Sequence, residues 1–178
     1  MVKANQEFKV DTSNAIDVSH LEEWGFSPVA YAEINDKGKD RLTTVIPFEG
    51  KDDDFSTRQE LIYLIVIDDC VVKVGGTYTG LKARLASYSA GTRANRKRGT
   101  CSTTNYHISE TQYTSLVNGS DVEWWMFAIE PVEVSFDVPW DGKVSYSTKT
   151  YMKYESTLVD WINDQGYDVP LSPNTGVE

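Results

Sequence analysis

The segment Leu61–Ile67 reads LIYLIVI, seven consecutive apolar residues rich in β-branched side chains. A run this short and continuous predicts a strand buried on both faces. Asp68-Asp69 supplies turn chemistry, and Cys70 to Val74 returns as a second strand, which Gly75-Gly76 is expected to break. The period then changes. Leu81, Leu85 and Tyr88 recur at helical spacing over Leu81–Ser89, and Ala90-Gly91 closes that helix. Upstream, Pro28–Ile34 and Leu42–Phe48 read as strands either side of Asn35-Asp36-Lys37-Gly38, which predicts a hairpin. Asp17–Trp24 predicts a short helix, with Ser19 as cap and Glu22 three residues on. Downstream, Asp121–Ile129 predicts a strand, and Val132–Phe136 its continuation or an edge. Pro139–Thr148 predicts a loop. Thr150–Gln165 predicts a helix that carries Glu155, Leu158, Val159 and Ile162 on one stripe and ends at Gly166.

The remaining stretches lack a period. Residues 1–20 read as an arm or poorly packed lead-in, Lys51–Asp54 as a polar break, and residues 91–107 as a basic loop or short helices. Trp124-Trp125 must alternate faces in a strand, so at most one is exposed, and core packing explains them. The pattern predicts an α/β (α+β) chain: a small, mostly antiparallel sheet flanked by helices, with an N-terminal β-hairpin extension. Residues 1–55 would form the arm and hairpin, and 56–178 the core, together one compact domain.

Composition narrows the class. The 178 residues are 40% hydrophobic and 12% aromatic, enough for a packed core without disulfides or a structural metal. No apolar run is long enough to span a membrane, and the first fifteen residues carry no apolar stretch of a secretory signal. Two cysteines and two histidines exclude a disulfide framework and a multi-histidine metal site. A cytoplasmic protein without a membrane partner is expected.

Net charge is −10, but it is unevenly placed. From Cys70 to Ser109, forty residues hold no Asp or Glu, yet they carry Lys73, Lys82, Arg84, Arg93, Arg96, Lys97 and Arg98. These are 7 of the 17 basic residues, and they leave a strongly acidic remainder. One positive segment on an acidic body is the footprint of a polyanion partner, most often a phosphate backbone.

The same region carries candidate chemistry. The first buried strand holds Tyr63, and the second ends in Lys73-Val74-Gly75. The helix that follows puts Arg84 and Tyr88 one turn apart on one face. Much later, Glu155 sits on an apolar stripe, where a carboxylate is costly unless it is paired or binds a cation. Other nuclease and nucleotide-binding patterns fail. Val71-Val72-Lys73 lacks the acid of a PD-(D/E)XK site, two histidines do not make an HNH site, and Gly75-Gly76 lacks the Lys-Ser/Thr of a P-loop.

In this order the residues resemble the GIY-YIG nuclease superfamily. Its first motif stands here as Leu61-Ile62-Tyr63, and its second as Lys73-Val74-Gly75. Arg84 and Tyr88 on the following helix, Glu155 in YMKYESTLVDWI and the late Asn174 fall at its remaining positions. Lys73 replaces the second tyrosine, as in the Hpy188I-like type II restriction endonucleases of that superfamily. The resemblance implies a DNA endonuclease with one magnesium ion per active site, held by Glu155. Tyr63 would act as general base on water, favoured as phenolate by Lys73 nearby. Arg84 would clamp the phosphate oxygens, and Tyr88 would bond the phosphate or the water. Gly75 and Asn174 would be structural. Lys82, Arg93, Arg96, Lys97 and Arg98 would contact DNA, with Asn95 or Asn105 reading adenine.

A sequence-specific restriction enzyme, dimeric on double-stranded DNA, is the first expectation. A nuclease for single strands or branched DNA, and a binding module that has lost cleavage, are the alternatives. The site carries one geometric condition. Tyr63 and Lys73 must project to one sheet face, which requires a hairpin loop of odd length or a bulge.

Overall fold

A computed structural model describes residues 5–35 and 42–172. Seven strands, six α-helices and one short 3-10 helix (Gln6–Phe8) are formed among them. Strands β1 (Ser27–Ile34) and β2 (Thr43–Pro47) make the N-terminal hairpin; its tip lies outside the described residues. Strands β3 (Leu61–Ile67) and β4 (Cys70–Thr77) form the hairpin of the second region, and β5 (Val122–Ala128) lies between the two hairpins. The order β2-β1-β5-β3-β4 is antiparallel throughout. The expected antiparallel sheet with flanking helices is therefore the observed architecture. β1 hydrogen-bonds to β5, so the N-terminal hairpin is the far edge of the same sheet.

Both faces are covered, which explains why all of β3 is buried. Residues Leu61, Tyr63, Ile65 and Ile67 point to one side, against helices α3 (Leu81–Ser89) and α5 (Thr103–Val117). Ile62, Leu64 and Val66 point to the other, against helix α6 (Tyr151–Asp164) and the segment Ile16–Leu21. Trp124 and Trp125 go one to each side, and both are buried.

Several expectations need correction. The lead-in is packed: Phe8, Ile16 and Val18 are buried, and Val71 N–H donates to the Ile16 carbonyl at 2.9 Å. Helix α1 (Ser19–Glu22) is anchored by Asp17, whose carboxylate accepts from the Ser19 N–H and hydroxyl; Ser19 is inside the helix. The polar break contains a one-turn helix, α2 (Asp52–Ser56), with three aspartates at its positive end. β4 does not stop at the glycines but runs through Gly75-Gly76 to Thr77. The basic stretch 91–107, by contrast, takes the second of its two expected forms, with the short helix α4 (Arg93–Lys97) and the start of α5. Val132–Val138 and Gly142–Thr148, the second expected to be a loop, pair as a separate two-stranded ribbon, β6 and β7. No helix among the described residues is long and apolar enough to cross a membrane.

One edge of the sheet is β4. The lead-in and the tail cover its first half: Leu171 N–H donates to the Val72 carbonyl at 2.7 Å, and Ser172 Oγ bonds both the N–H and the carbonyl of Val74. Covering an edge blunts its tendency to pair with another chain. The second half, Gly75–Thr77, is where the candidate residues gather.

Candidate active site

The β3–β4 turn is Asp68-Asp69, both with positive φ (47° and 64°), the conformation a tight two-residue hairpin requires. The ladder then slips: Val66 pairs with Val71, but Ile65 pairs with Lys73. Val72 is the extra residue of a bulge, a feature common beside active sites. The bulge puts Lys73 opposite Ile65, on the Tyr63 side of the sheet. The geometric condition is met, although Tyr63 itself pairs with Gly75.

That pairing gives Gly75 a physical role. The Tyr63 side chain lies across Gly75, where any Cβ would collide with its ring and hydroxyl. Tyr63 has no exposed surface and cannot yield. Gly75→Ala is expected to cost about 3 kcal/mol through overpacking, read as a lower midpoint of urea unfolding with unchanged slope.

Arg84 and Tyr88 reach Tyr63 from α3. The two phenol oxygens are 2.5 Å apart. Arg84 Nε donates to the Tyr63 oxygen at 3.1 Å, and Nη2 to the Tyr88 oxygen at 3.1 Å. Its guanidinium also lies 4.7 Å from the Tyr88 ring centre. These contacts leave three of the guanidinium's five N–H groups for a ligand. Burial pushes the Tyr63 phenol well above its ordinary pKa, Tyr88 adds to the rise, and Arg84 opposes it. The expected influence of Lys73 on Tyr63 is corrected here: the cation beside that phenol is Arg84.

Glu155 arrives from the opposite face. It lies one turn into α6, which packs on β4, and its Oε2 stands 3.1 Å from where a Cβ on Gly76 would sit. Helix α6 is held at its start by Glu60, whose carboxylate accepts from the N–H groups of Thr150 and Tyr151. Sequence reading missed Glu60, because its partners lie ninety residues away. Burial raises the Glu155 pKa, while Lys73, the Gly76 N–H and Arg84 lower it. Burial lowers the Lys73 pKa; Glu155 opposes that and Arg84 reinforces it. Lys73 donates to Ser172 Oγ at 2.8 Å, a partner equally invisible in sequence.

Tyr63, Arg84 and Tyr88 are thus hydrogen-bonded to one another, and Lys73 and Glu155 lie near enough to act on them and on each other through their charge, about the second half of an edge strand. Among the described residues no group of three His, Cys, Asp or Glu gathers. These described residues do not offer the donors of an all-protein metal cage. They fit an ion held through one carboxylate and completed by water and phosphate oxygens, as magnesium prefers. The half-buried Glu155, whose charge burial disfavours, is the group such an ion would stabilise.

The DNA-contact candidates divide. Lys82, Arg96, Lys97 and Arg98 are exposed. Arg93 is committed elsewhere: it grips the fully buried Glu110 with both forks, each at 2.6 Å. Asn95 is also engaged: its amide donates to the Ala90 carbonyl and its oxygen accepts from Arg98. Asn105 donates to the Ser87 carbonyl. These three shape the basic segment rather than extend from it. Asn174 lies outside the described residues.

The architecture is that of nuclease structures. The chain is similar to restriction endonuclease Hpy188I in complex with product DNA, with a TM-score of 0.61 and 19% identity over 100% of this chain and 98% of that one. It is also similar to a mutant of bacteriophage T4 EndoII, with a TM-score of 0.56 and 22% identity over 82% of this chain and 93% of that one. At these identities the likeness establishes a shared fold. No family model matches the chain, and no curated protein does.

Proposed function

We propose that this chain is a divalent-metal-dependent DNA endonuclease of the GIY-YIG type, acting as a sequence-specific restriction enzyme on double-stranded DNA. One observation carries the reading. Tyr63, Lys73, Arg84 and Tyr88 on one sheet face and Glu155 from the other lie about Gly75-Gly76 of β4, within and beside the acid-free basic segment. The fold supports it, since the Hpy188I structure it resembles holds product DNA.

Glu155 would hold the magnesium ion, which supplies positive charge to the developing phosphorane and the leaving oxygen. Arg84 uses its remaining N–H groups on the non-bridging phosphate oxygens, where charge develops. Its bonds to Tyr63 and Tyr88 fix the fork before substrate arrives. Lys73, held by Ser172, adds a second positive charge near Glu155. Once substrate draws the Tyr88 hydroxyl aside, the ionised form of the buried Tyr63 takes the proton from the attacking water, and the hydroxide forms the new P–O bond as the bond to the leaving oxygen breaks. The exposed Lys82, Arg96, Lys97 and Arg98 hold the backbone and set register. Cutting both strands of a symmetric site calls for a two-fold dimer.

The electrostatics yield a pH prediction. Burial keeps Tyr63 as a phenol at neutral pH, so the basic form is scarce and grows tenfold per unit as pH rises. The logarithm of the cleavage rate should therefore rise with a slope of about 1 above pH 7. Tyr63→Phe should remove both the slope and the activity. A flat profile with an active Tyr63→Phe variant would assign the base elsewhere. Discrete fragments from phage DNA would mark a sequence-specific enzyme, and a smear a less specific nuclease.

A further inference from the structure

Beyond the acid-free segment, a single lysine stands apart from its own neighbourhood. Residues 130–148 carry four acids and one lysine, and the ribbon they form is acidic. Lys149 follows that ribbon immediately, but the fold carries its ammonium to Tyr78, just past the end of β4, where it lies 3.7 Å from the ring centre. Tyr78 is half exposed, with ring centre 6.0 Å from that of Tyr151. Tyr151 in turn lies against Gly76, and the Glu155 carboxylate lies against the same glycine. A continuous chain of contacts thus links Lys149, Tyr78, Tyr151, Gly76 and Glu155. Lys149 is exposed, and an aromatic face restrains the ammonium without neutralising it.

We infer that Tyr78 and Lys149 form a nucleic-acid backbone subsite beside the Glu155 centre, on the side away from α4. Lys149 is the phosphate contact, and the Tyr78 ring holds it in place. The inference rests on the nuclease reading and deepens it. The fold adds an eighth cation to the seven of the acid-free segment, and the added charge lies on the α6 side of β4, whereas Arg84 lies on the α3 side. A strand whose reacting phosphate sits between Arg84 and Glu155 is then held on both flanks. The ring matters as a surface, so phenylalanine should replace Tyr78 without loss and alanine should not.

The test measures binding of a labelled duplex oligonucleotide of mixed sequence across a salt series. EDTA is present, so cleavage does not intrude. Each phosphate contact contributes about 0.9 to the slope of log K against log salt. Lys149→Ala and Tyr78→Ala should each flatten the wild-type slope by about that amount, while Tyr78→Phe keeps it. Lys51→Ala is the control, because Lys51 is paired with Asp54 at 3.1 Å in α2's first turn. A wild-type slope in Lys149→Ala overturns the subsite and leaves the nuclease reading standing. A flattened slope in Lys149→Ala but not in Tyr78→Ala overturns the role of the ring. If the wild-type protein binds no duplex at all, the nuclease reading and the subsite fall together.

Discussion

Arg84→Ala is expected to slow DNA cleavage by about 1,000-fold, the upper range for removing one preorganised donor group. Three features set that size. Arg84 is half-buried, so its field is less screened than a surface charge's. Its geometry is fixed in advance by bonds to two phenol oxygens and by the Tyr88 ring. Its remaining N–H groups match the oxygens of a phosphate. The fold should barely notice the loss, because Tyr63 and Tyr88 still bond each other. Arg84→Lys should recover little, since a point charge cannot bond both phenols and the phosphate at once. Single-turnover cleavage beside thermal unfolding checks this. A comparable loss of rate and stability would make Arg84 a structural residue instead.

The second large effect concerns stability. Glu110 is completely buried in the middle of α5 and depends on Arg93 for its counter-charge. Arg93→Met should destabilise the protein by about 3 kcal/mol, the lower end for orphaning a buried charge. The lower end applies because Arg93 is itself 38% exposed and water already shares its charge. At this chain length the melting temperature should fall by about 10 °C. The double variant Arg93→Met, Glu110→Leu should regain much of that, since a neutral apolar pair needs no compensation. A single variant as stable as the wild type would show that Glu110 is neutralised without Arg93. Because Arg93 and Asn95 hold α4 in place, the single variant should also weaken DNA binding.

The two effects show what could be read in the chain. Arg84, Tyr88 and Glu155 lie on helices whose apolar spacing sets their faces, α3 and α6, and Tyr63 lies on β3, a continuous apolar run that reads as a buried strand. Lys73 needed one step more: its face depends on a bulge, and the site itself demanded that bulge. Helix α5 carried no such signal. It is buried all round from Ile108 to Ser115, and six of those eight residues are polar, so no apolar stripe reveals it. The sequence clue was Ser102, whose hydroxyl caps the helix by accepting from Asn105 N–H. In the ribbon only β7 escaped: β6 was expected as a strand over Val132–Phe136, but Gly142–Thr148 is polar and outside the main sheet, and it pairs with β6 alone. Arg93 read as a DNA contact because local charge says nothing about a partner seventeen residues on. Glu60, Ser172 and Lys149 act on residues remote in the chain, where neither period nor motif reaches.

The central claim is that Glu155 and the cluster around it cut DNA with a divalent cation. The most direct measurement is cleavage of supercoiled and phage DNA by the purified protein in magnesium and in EDTA, with Glu155→Gln alongside. Burial already disfavours the Glu155 charge, so the amide should leave the unfolding midpoint at neutral pH at or above the wild-type value. The expected result is magnesium-dependent cleavage by the wild type, none in EDTA, and none by a fully folded Glu155→Gln. Cleavage that persists in EDTA, or in Glu155→Gln, would contradict the account.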